Sequence, residues 1–242
     1  MAKIEGKFEK SREKEENVIS LKRSIYKGLE NINIEGMVLG PQDIFKRNIG
    51  DTDGVLDRSS VCILGLGGLG SNIGVYLARS GIGRLVLVDF DQVEASNLNR
   101  QYYSLGHIGM KKTQALVEVI RSINPFIDLE VIDTKINRVN IMDIVKGQQI
   151  ICEALDDPAT KSMVVSEVLA NSDDKLVVAA SGMAGLGDAN LIRTRRKLSR
   201  LYICGDERSD FELIPGMMAP RVSICAGHQA NIILRLLLGL EG

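Results

Sequence analysis

The sequence predicts a doubly wound α/β domain: a mostly parallel sheet with an antiparallel pair of strands near its C-terminus. Three observations carry this. Short continuous runs of Val, Ile and Leu at 61–64, 85–88, 129–132, 150–152 and 176–180 suit strands buried on both faces of a parallel sheet. Helix-patterned segments at 70–80, 111–122, 139–146 and 158–171 alternate with them, as crossovers between parallel strands require. A glycine-rich turn joins the first run to the first helix.

Ahead of that alternation, the first thirty residues hold eight Lys or Arg and six Glu in mixed order. They predict a solvated helix with i,i+4 ion pairs, running on through Val18, Leu21, Ile25 and Leu29 as a thin apolar stripe. We read 1–57 as a charged helical arm and 58–242 as the α/β domain. Beyond the fifth strand, 189–195 and 200–204 read as the antiparallel pair, and 219–238 as a long closing helix.

The chain's 242 residues are 45% hydrophobic and 25% charged, which disfavours disorder and allows one large domain or two small ones. A net charge of −1 gives no prior for a polyanion-binding protein. Cys62, Cys152, Cys204 and Cys225 are far apart with no Cys-x-x-Cys pair, so neither a disulfide framework nor a zinc knuckle is indicated. The start, Met1-Ala2-Lys3-Ile4-Glu5, is too charged for a secretory signal, and the apolar run 230–240 is short of a membrane span. A soluble, reduced, cytoplasmic protein is expected.

Gly65-Leu66-Gly67-Gly68-Leu69-Gly70 follows a strand and opens a helix, the G-x-G-x-x-G arrangement of a Rossmann-like nucleotide site. Its glycines allow a tight turn, close backbone approach to phosphates, and close helix–strand packing. The helix N-terminus adds free N–H groups and partial positive charge. Asp89 lies 19 residues after Gly70, where a carboxylate accepts from ribose hydroxyls. The loop alone does not separate NAD from ATP. A triphosphate under attack accumulates more charge than a dinucleotide bridge and needs cations aimed at it. Arg100 and Lys112 are such donors, and Asp91 stands among the polar groups of the same strand edge. Asp156, in Glu153-Ala154-Leu155-Asp156-Asp157, reaches that edge from the fourth strand and suits Mg²⁺.

The stretch 65–101 resembles the ThiF/MoeB/HesA family, relatives of the ubiquitin-activating enzymes. It carries G-x-G-G-L-G and then D-x-D-x-V-x-x-S-N-L-x-R-Q residue for residue. The similarity continues through Ile123-Asn124-Pro125, Leu155-Asp156-Asp157 and Gly216-Met217-Met218-Ala219-Pro220, covering roughly 58–240, and is greatest to the compact ThiF-type proteins of thiamine biosynthesis. The resemblance implies an adenylation domain that uses ATP and Mg²⁺ to activate the C-terminal glycine of a small ubiquitin-like sulfur carrier protein with a diglycine tail. By motif position, Gly65, Gly67, Gly68 and Gly70 would shape the phosphate loop and Asp89 would hold the ribose, with Asp91 beside it. Asn97, Arg100 and Lys112 would contact phosphates, and Asp156 would bind Mg²⁺. The carboxylate acceptor is already a nucleophile, which accords with only two histidines, His107 and His228, both read as structural. The alternatives are adenylation of another acceptor, such as the molybdopterin carrier, a peptide or a tRNA-bound carboxylate, an NAD-binding oxidoreductase, and a non-catalytic relative that binds nucleotide and serves as a scaffold.

Three departures from the family pattern stand out. An Arg-Tyr-x-Arg-Gln segment that completes a neighbouring subunit's site in relatives is missing; Arg12, Arg23, Arg47 and Arg58 are the available replacements, and a homodimer is left open. Leu201 stands where a zinc-site cysteine belongs, so no zinc is expected. No cysteine lies between Cys152 and Cys204 to form a thioester, which favours adenylation over thiolation. Segment 182–188 reads as a flexible, glycine-rich path for the diglycine tail. Arg193, Arg195, Arg196, Lys197 and Arg200 read as a docking patch for an acidic carrier, whereas nucleic acid and membrane partners are not expected.

Overall fold

The apolar runs become strands whose side chains alternate between two cores. The computed structural model describes residues 21–49, 53–209 and 216–241. Ahead of the alternating region come β1 (Arg23–Tyr26), a hairpin of β2 (Ile32–Ile34) and β3 (Met37–Leu39), and the short helices α1 (Pro41–Phe45) and α2 (Asp53–Leu56). Then β4 (Ser60–Leu64) leads to α3 (Gly68–Arg79), and β5 (Arg84–Asp89) to α4 (Lys112–Arg121). In the same way β6 (Asp128–Asp133) leads to α5 (Ile141–Ile144), and β7 (Ile150–Glu153) to α6 (Pro158–Ala170). Next come β8 (Leu176–Ala180), β9 (Arg193–Leu198), β10 (Leu201–Gly205) and the long helix α7 (Ala219–Leu237).

The main sheet has eight strands in the order β1-β6-β5-β4-β7-β8-β10-β9. Its six central strands are mutually parallel, and β1 and β9 pair antiparallel at the two edges. Val61 and Ile63 face a core shared with Ile73 of α3, Leu116 of α4 and Ile233 of α7. Cys62 and Leu64 face the opposite core, with Ile144 of α5 and Val164 of α6. Two-sided burial explains why β4 carries apolar residues without alternation. From β4 the chain steps to β5 on one side and later returns to β7 on the other. The crevice above the C-terminal ends of β4 and β7 is therefore the topological switch point, where open α/β sheets bind ligands.

The expected N-terminal helix is not what residues 23–26 form. They are β1, paired with β6 from Arg23↔Ile132 to Tyr26↔Leu129. Without β1, β6 would leave a row of unpaired backbone groups. Arg23 also donates to Glu130, and the Tyr26 hydroxyl donates to Gln114 Oε1 at 2.7 Å. These non-local bonds outweigh the local helical tendency, and Ile25 and Leu29 are exposed rather than stripe-forming. Val18, Arg12 and the charged run 10–16 lie outside the described residues.

Two other elements differ from expectation. The helix over 139–146 shrinks to Ile141–Ile144, because the Asn137 and Asn140 side chains bind backbone N–H groups and close a turn instead. The strand expected from 189 begins at Arg193; Asp188 accepts from the Asn190 N–H and caps a 3₁₀ turn over Ala189–Leu191.

Candidate functional site

The glycine loop meets its geometric requirements at specific positions. Gly65 has φ +88°, and a Cβ there would lie 2.8 Å from the Ala154 carbonyl oxygen. At Gly70 a Cβ would lie 1.8 Å from the Gly65 carbonyl oxygen, so only glycine lets α3 sit against the loop. Gly67 is different: a Cβ would meet only the Gln101 amide nitrogen, 3.8 Å away. Its outer face opens into the cleft, and α3 begins there without a side-chain cap. The result is an uncapped helix N-terminus beside backbone that a ligand can approach closely, which suits an anion. Gly68 lies under the aliphatic stem of Arg100.

One wall of the cleft is built by β5 and the turns after it. Asp89 is buried, and its two carboxylate oxygens accept from the Leu66 N–H (2.6 Å) and the Asp91 N–H (2.8 Å). This carboxylate thus pins the glycine loop to the end of β5. Burial pushes its pKa up, against the opposing pull of Lys112 and the two N–H donors. Lys112, also buried, donates to Asp91 Oδ2 at 2.8 Å. Arg100 donates to Asn99 Oδ1 and the Ser96 carbonyl, leaving further guanidinium donors at the cleft. Asn97 does not line the cleft; its side-chain oxygen accepts from the Glu94 N–H and closes a 3₁₀ turn. Gln101 does line it, with a buried Oε1 that has no hydrogen-bond partner. Its adjacency to Arg100 in the motif was the signal for it.

The opposite wall is the turn after β7. Asp156 is exposed on the cleft and makes no hydrogen bond or ion pair among the described residues. Asp157 caps α6 by accepting from the Thr160 hydroxyl and N–H, which holds its carboxyl below the usual range. Glu153 is fully buried and paired with Lys161 at 2.9 and 2.7 Å; burial pushes its carboxyl up, against the pull of that lysine. The sequence signal for this pair is an acid at a strand end followed by Lys in the second turn of the next helix.

Gly182 and Met183 on one side and Met217 on the other roof the cleft. Segment 182–188 is tied down rather than free: the Gly185 N–H donates to the Gly216 carbonyl, and Arg221 donates to the Gly187 and Asp188 carbonyls. Arg221 is buried in the first turn of α7, where the helix dipole disfavours a cation. Asp206, buried and ion-paired with it, supplies the compensation. That mismatch of charge and helix end was the readable signal.

The resulting cleft has a volume of about 1080 Å³ and brings together Gly67, Gly68, Asp89, Asp91, Arg100, Lys112 and Asp156. No histidine lines it. The four cysteines are buried and free; burial pushes Cys204 up to about 11 and Cys225 up to about 12, with Cys62 and Cys152 raised as well. None supplies a thiolate near neutral pH. Among the described residues, no three His, Cys, Asp or Glu side chains are grouped to hold a metal ion. Asp156 alone, completed by phosphate oxygens and water, matches the way Mg²⁺ is usually held.

The basic cluster is largely engaged within the chain. Arg195 and Lys197 pair with Glu207 at 3.1 and 2.7 Å, and Arg196 lies over the Tyr202 ring. Arg200 donates to the Lys175 and Leu169 carbonyls. Of the arginines considered for the missing segment, Arg23 is bound to Glu130, and Arg58 lies 4.0 Å from Asp57.

The family model for ThiF matches residues 45–242, which include both walls of the cleft. The chain belongs to the ThiF family. Curated relatives include a tRNA threonylcarbamoyladenosine dehydratase from Haemophilus influenzae, 33% identical over 52% of this chain and 49% of that protein. The adenylyltransferase and sulfurtransferase UBA4 of Saccharomyces cerevisiae is 36% identical over 57% of this chain and 31% of that protein. This ThiF-family chain thus spans about half or less of the length of these relatives. Among solved structures, the E. coli tRNA N6-threonylcarbamoyladenosine dehydratase TcdA superposes with a TM-score of 0.74 at 20% identity, covering 82% of this chain and 95% of that one. The same enzyme solved in complex with ATP gives 0.71 at 20% identity, over 84% and 95%. At these identities the superpositions establish the fold. No helix among the described residues is long and apolar enough to cross a membrane.

Proposed function

We propose that this ThiF-family chain is an ATP-dependent adenylyltransferase that activates the C-terminal glycine carboxylate of a ubiquitin-like sulfur carrier protein. The observation that carries the reading is the charge layout of the switch-point cleft: an open glycine loop, two cations on one wall and a free carboxylate on the other. The uncapped start of α3 and Gly67 receive phosphates. Arg100 and Lys112 stabilise the charge that builds on the α-phosphate as the carrier's carboxylate attacks and pyrophosphate leaves. Asp156 is the residue that would hold Mg²⁺, which when bound offsets phosphate charge. The acceptor arrives ionised, so a cleft without histidine or thiolate lacks nothing the reaction needs. Covalent thiolation on this chain's cysteines is not part of the proposal.

Asp89 contributes by fixing Leu66 and Asp91, and its remaining acceptor capacity would suit a ribose hydroxyl. Gln101 places its amide nitrogen beside Gly67, 3.8 Å from where a Cβ there would lie. The Gly182–Met183 roof, held by the Asp206 N–H on the Gly182 carbonyl, forms a fixed wall along which a thin diglycine tail can extend. The carrier is taken to be that of the thiamine pathway, in line with the resemblance to compact ThiF-type chains. Support for a wider acceptor set comes from relatives named for molybdopterin synthase and for sulfur transfer.

A second reading is activation of a tRNA-linked acceptor, favoured by the similarity to the tRNA threonylcarbamoyladenosine dehydratases in sequence and fold. Carrier-dependent ATP–pyrophosphate exchange separates the two when diglycine-tailed carriers and tRNA are supplied in parallel. Calorimetry with ATP and NAD side by side checks the nucleotide, and tight NAD binding without ATP binding would reverse the choice.

A further inference from the structure

At the cleft, the turn between β7 and α6 contains an ion pair of fully buried Glu153 and half-buried Lys161 whose hydrogen bonds converge on a single peptide. Lys161 Nζ has three N–H donors. Two go to Glu153, at 2.9 and 2.7 Å, and the third goes to the Leu155 carbonyl at 3.0 Å. The Leu155 N–H in turn donates to Glu153 Oε1 at 2.8 Å. Both backbone groups of Leu155 are therefore held by the pair, although Leu155 belongs to neither the strand nor the helix. On the C-terminal side, Asp157 is fixed by its bonds to Thr160. Asp156 stands between two immobilised neighbours, with its own carboxylate unengaged. On the N-terminal side, the Ala154 N–H donates to Leu64, and a Cβ on Gly65 would strike the Ala154 carbonyl. The turn is thereby set directly against the glycine loop.

A buried ion pair is a poor way to stabilise a fold, because desolvation consumes most of the Coulombic gain and an apolar pair of similar size does as well or better. Its placement here has another consequence. We infer that Glu153 and Lys161 are positioning residues: by clamping the Leu155 peptide they hold the Asp156 carboxylate at the distance from the phosphate loop that Mg²⁺·ATP requires. The inference rests on the ATP and Mg²⁺ assignment proposed above and extends it to two residues that do not touch the metal.

The test is calorimetric titration of the full chain with ATP, in EDTA and across a Mg²⁺ series, which needs no acceptor. Wild type, Asp156→Ala and the double variant Glu153→Gln with Lys161→Met are compared, with thermal melts on each. The double variant replaces charges by groups of similar volume and is expected to melt near the wild-type temperature. Its ATP affinity in EDTA should match wild type, while the Mg²⁺ concentration that gives half the gain in affinity rises by about 10-fold or more, the usual effect of removing a group that orients a metal ligand. Lys161→Arg, which keeps a charged donor to the Leu155 carbonyl, should restore most of the Mg²⁺ response. A double variant with wild-type Mg²⁺ response, where Asp156→Ala has lost it, overturns the positioning role alone. A wild type whose ATP binding ignores Mg²⁺ overturns the metal assignment of Asp156 together with this inference. Hydrogen exchange on wild type gives a check that needs no variant: the Leu155 amide should be as protected as the sheet amides, and rapid exchange there contradicts the clamp.

Discussion

Gly67 and Gly70 are three positions apart in one loop, yet their surroundings assign them different duties. A methyl group at Gly70 meets a backbone carbonyl at 1.8 Å that cannot move without shifting the loop. Gly70→Ala should therefore cost about 3 kcal/mol of stability, read as a lowered denaturant midpoint at unchanged slope. A methyl at Gly67 enters open cleft, so Gly67→Ala should fold normally and weaken ATP binding by about tenfold, near 1.4 kcal/mol. The reverse pattern, with Gly67→Ala unfolding and Gly70→Ala weakening only binding, would remove the loop from the nucleotide site. Across the cleft, Asp156→Ala removes a carboxylate with no partner among the described residues. It should leave the melting temperature unchanged and abolish carrier-dependent pyrophosphate exchange; exchange at the wild-type rate would sink the metal assignment. Arg100→Ala should retain ATP binding within a few-fold and lower the exchange rate about 100-fold or more, because its charge is needed most as the phosphate rearranges.

Among the elements, β1 shows where local pattern and tertiary pairing compete. Its charged, mixed surroundings read as helix because helix propensity is judged within a few turns, whereas the open edge of β6 lies about a hundred residues away. Nothing in residues 23–26 alone announces that edge. The parallel strands were legible for the opposite reason: burial on both faces leaves an unbroken apolar run at each. The β1 junction also gives a pH dependence. Burial would raise the Glu130 carboxyl, but hydrogen bonds from Arg23 and Arg84 outweigh it and hold the pKa below the ordinary 4.5. A carboxylate with a depressed folded pKa stabilises fully above its unfolded pKa and loses that contribution as pH falls through the folded value. Protection of the β1 amides from hydrogen exchange should hold from neutral pH down to about 4.5, the ordinary carboxylate value, and decline below it. In Glu130→Gln, β1 should be less protected at neutral pH and the acid-linked decline should shrink to the part supplied by Asp128, which bonds Lys27 and the Gly28 N–H just after β1 and is also held below its ordinary value. An unchanged acid profile would show that the edge strand is held by its backbone pairing alone.

At the scale of the whole molecule, strand order converts a linear motif into a site. Gly67, Arg100, Lys112 and Asp156 span 90 residues of sequence and meet because β4 and β7 are neighbours with connections leaving in opposite directions. The motif residues that face the cleft were readable in sequence, since their spacing follows the strand–loop–helix unit. The supporting ones were less so. Asn97 carries a motif position yet serves a turn, while Lys161 and Arg221 carry no motif and are revealed only by what they hold. The basic cluster near β9 reads as a patch on paper; in the fold, Glu207 and backbone carbonyls fix most of its side chains, while that single carboxylate leaves the patch net positive. Steering of an acidic carrier should accordingly weaken as salt is raised. Whether this cleft adenylates a carboxylate is decided by ATP–pyrophosphate exchange with a panel of diglycine-tailed carriers. Mg²⁺-dependent exchange is expected with at least one carrier, lost when its terminal glycine is removed. ATP bound with no exchange on any carrier or on tRNA would contradict carboxylate adenylation.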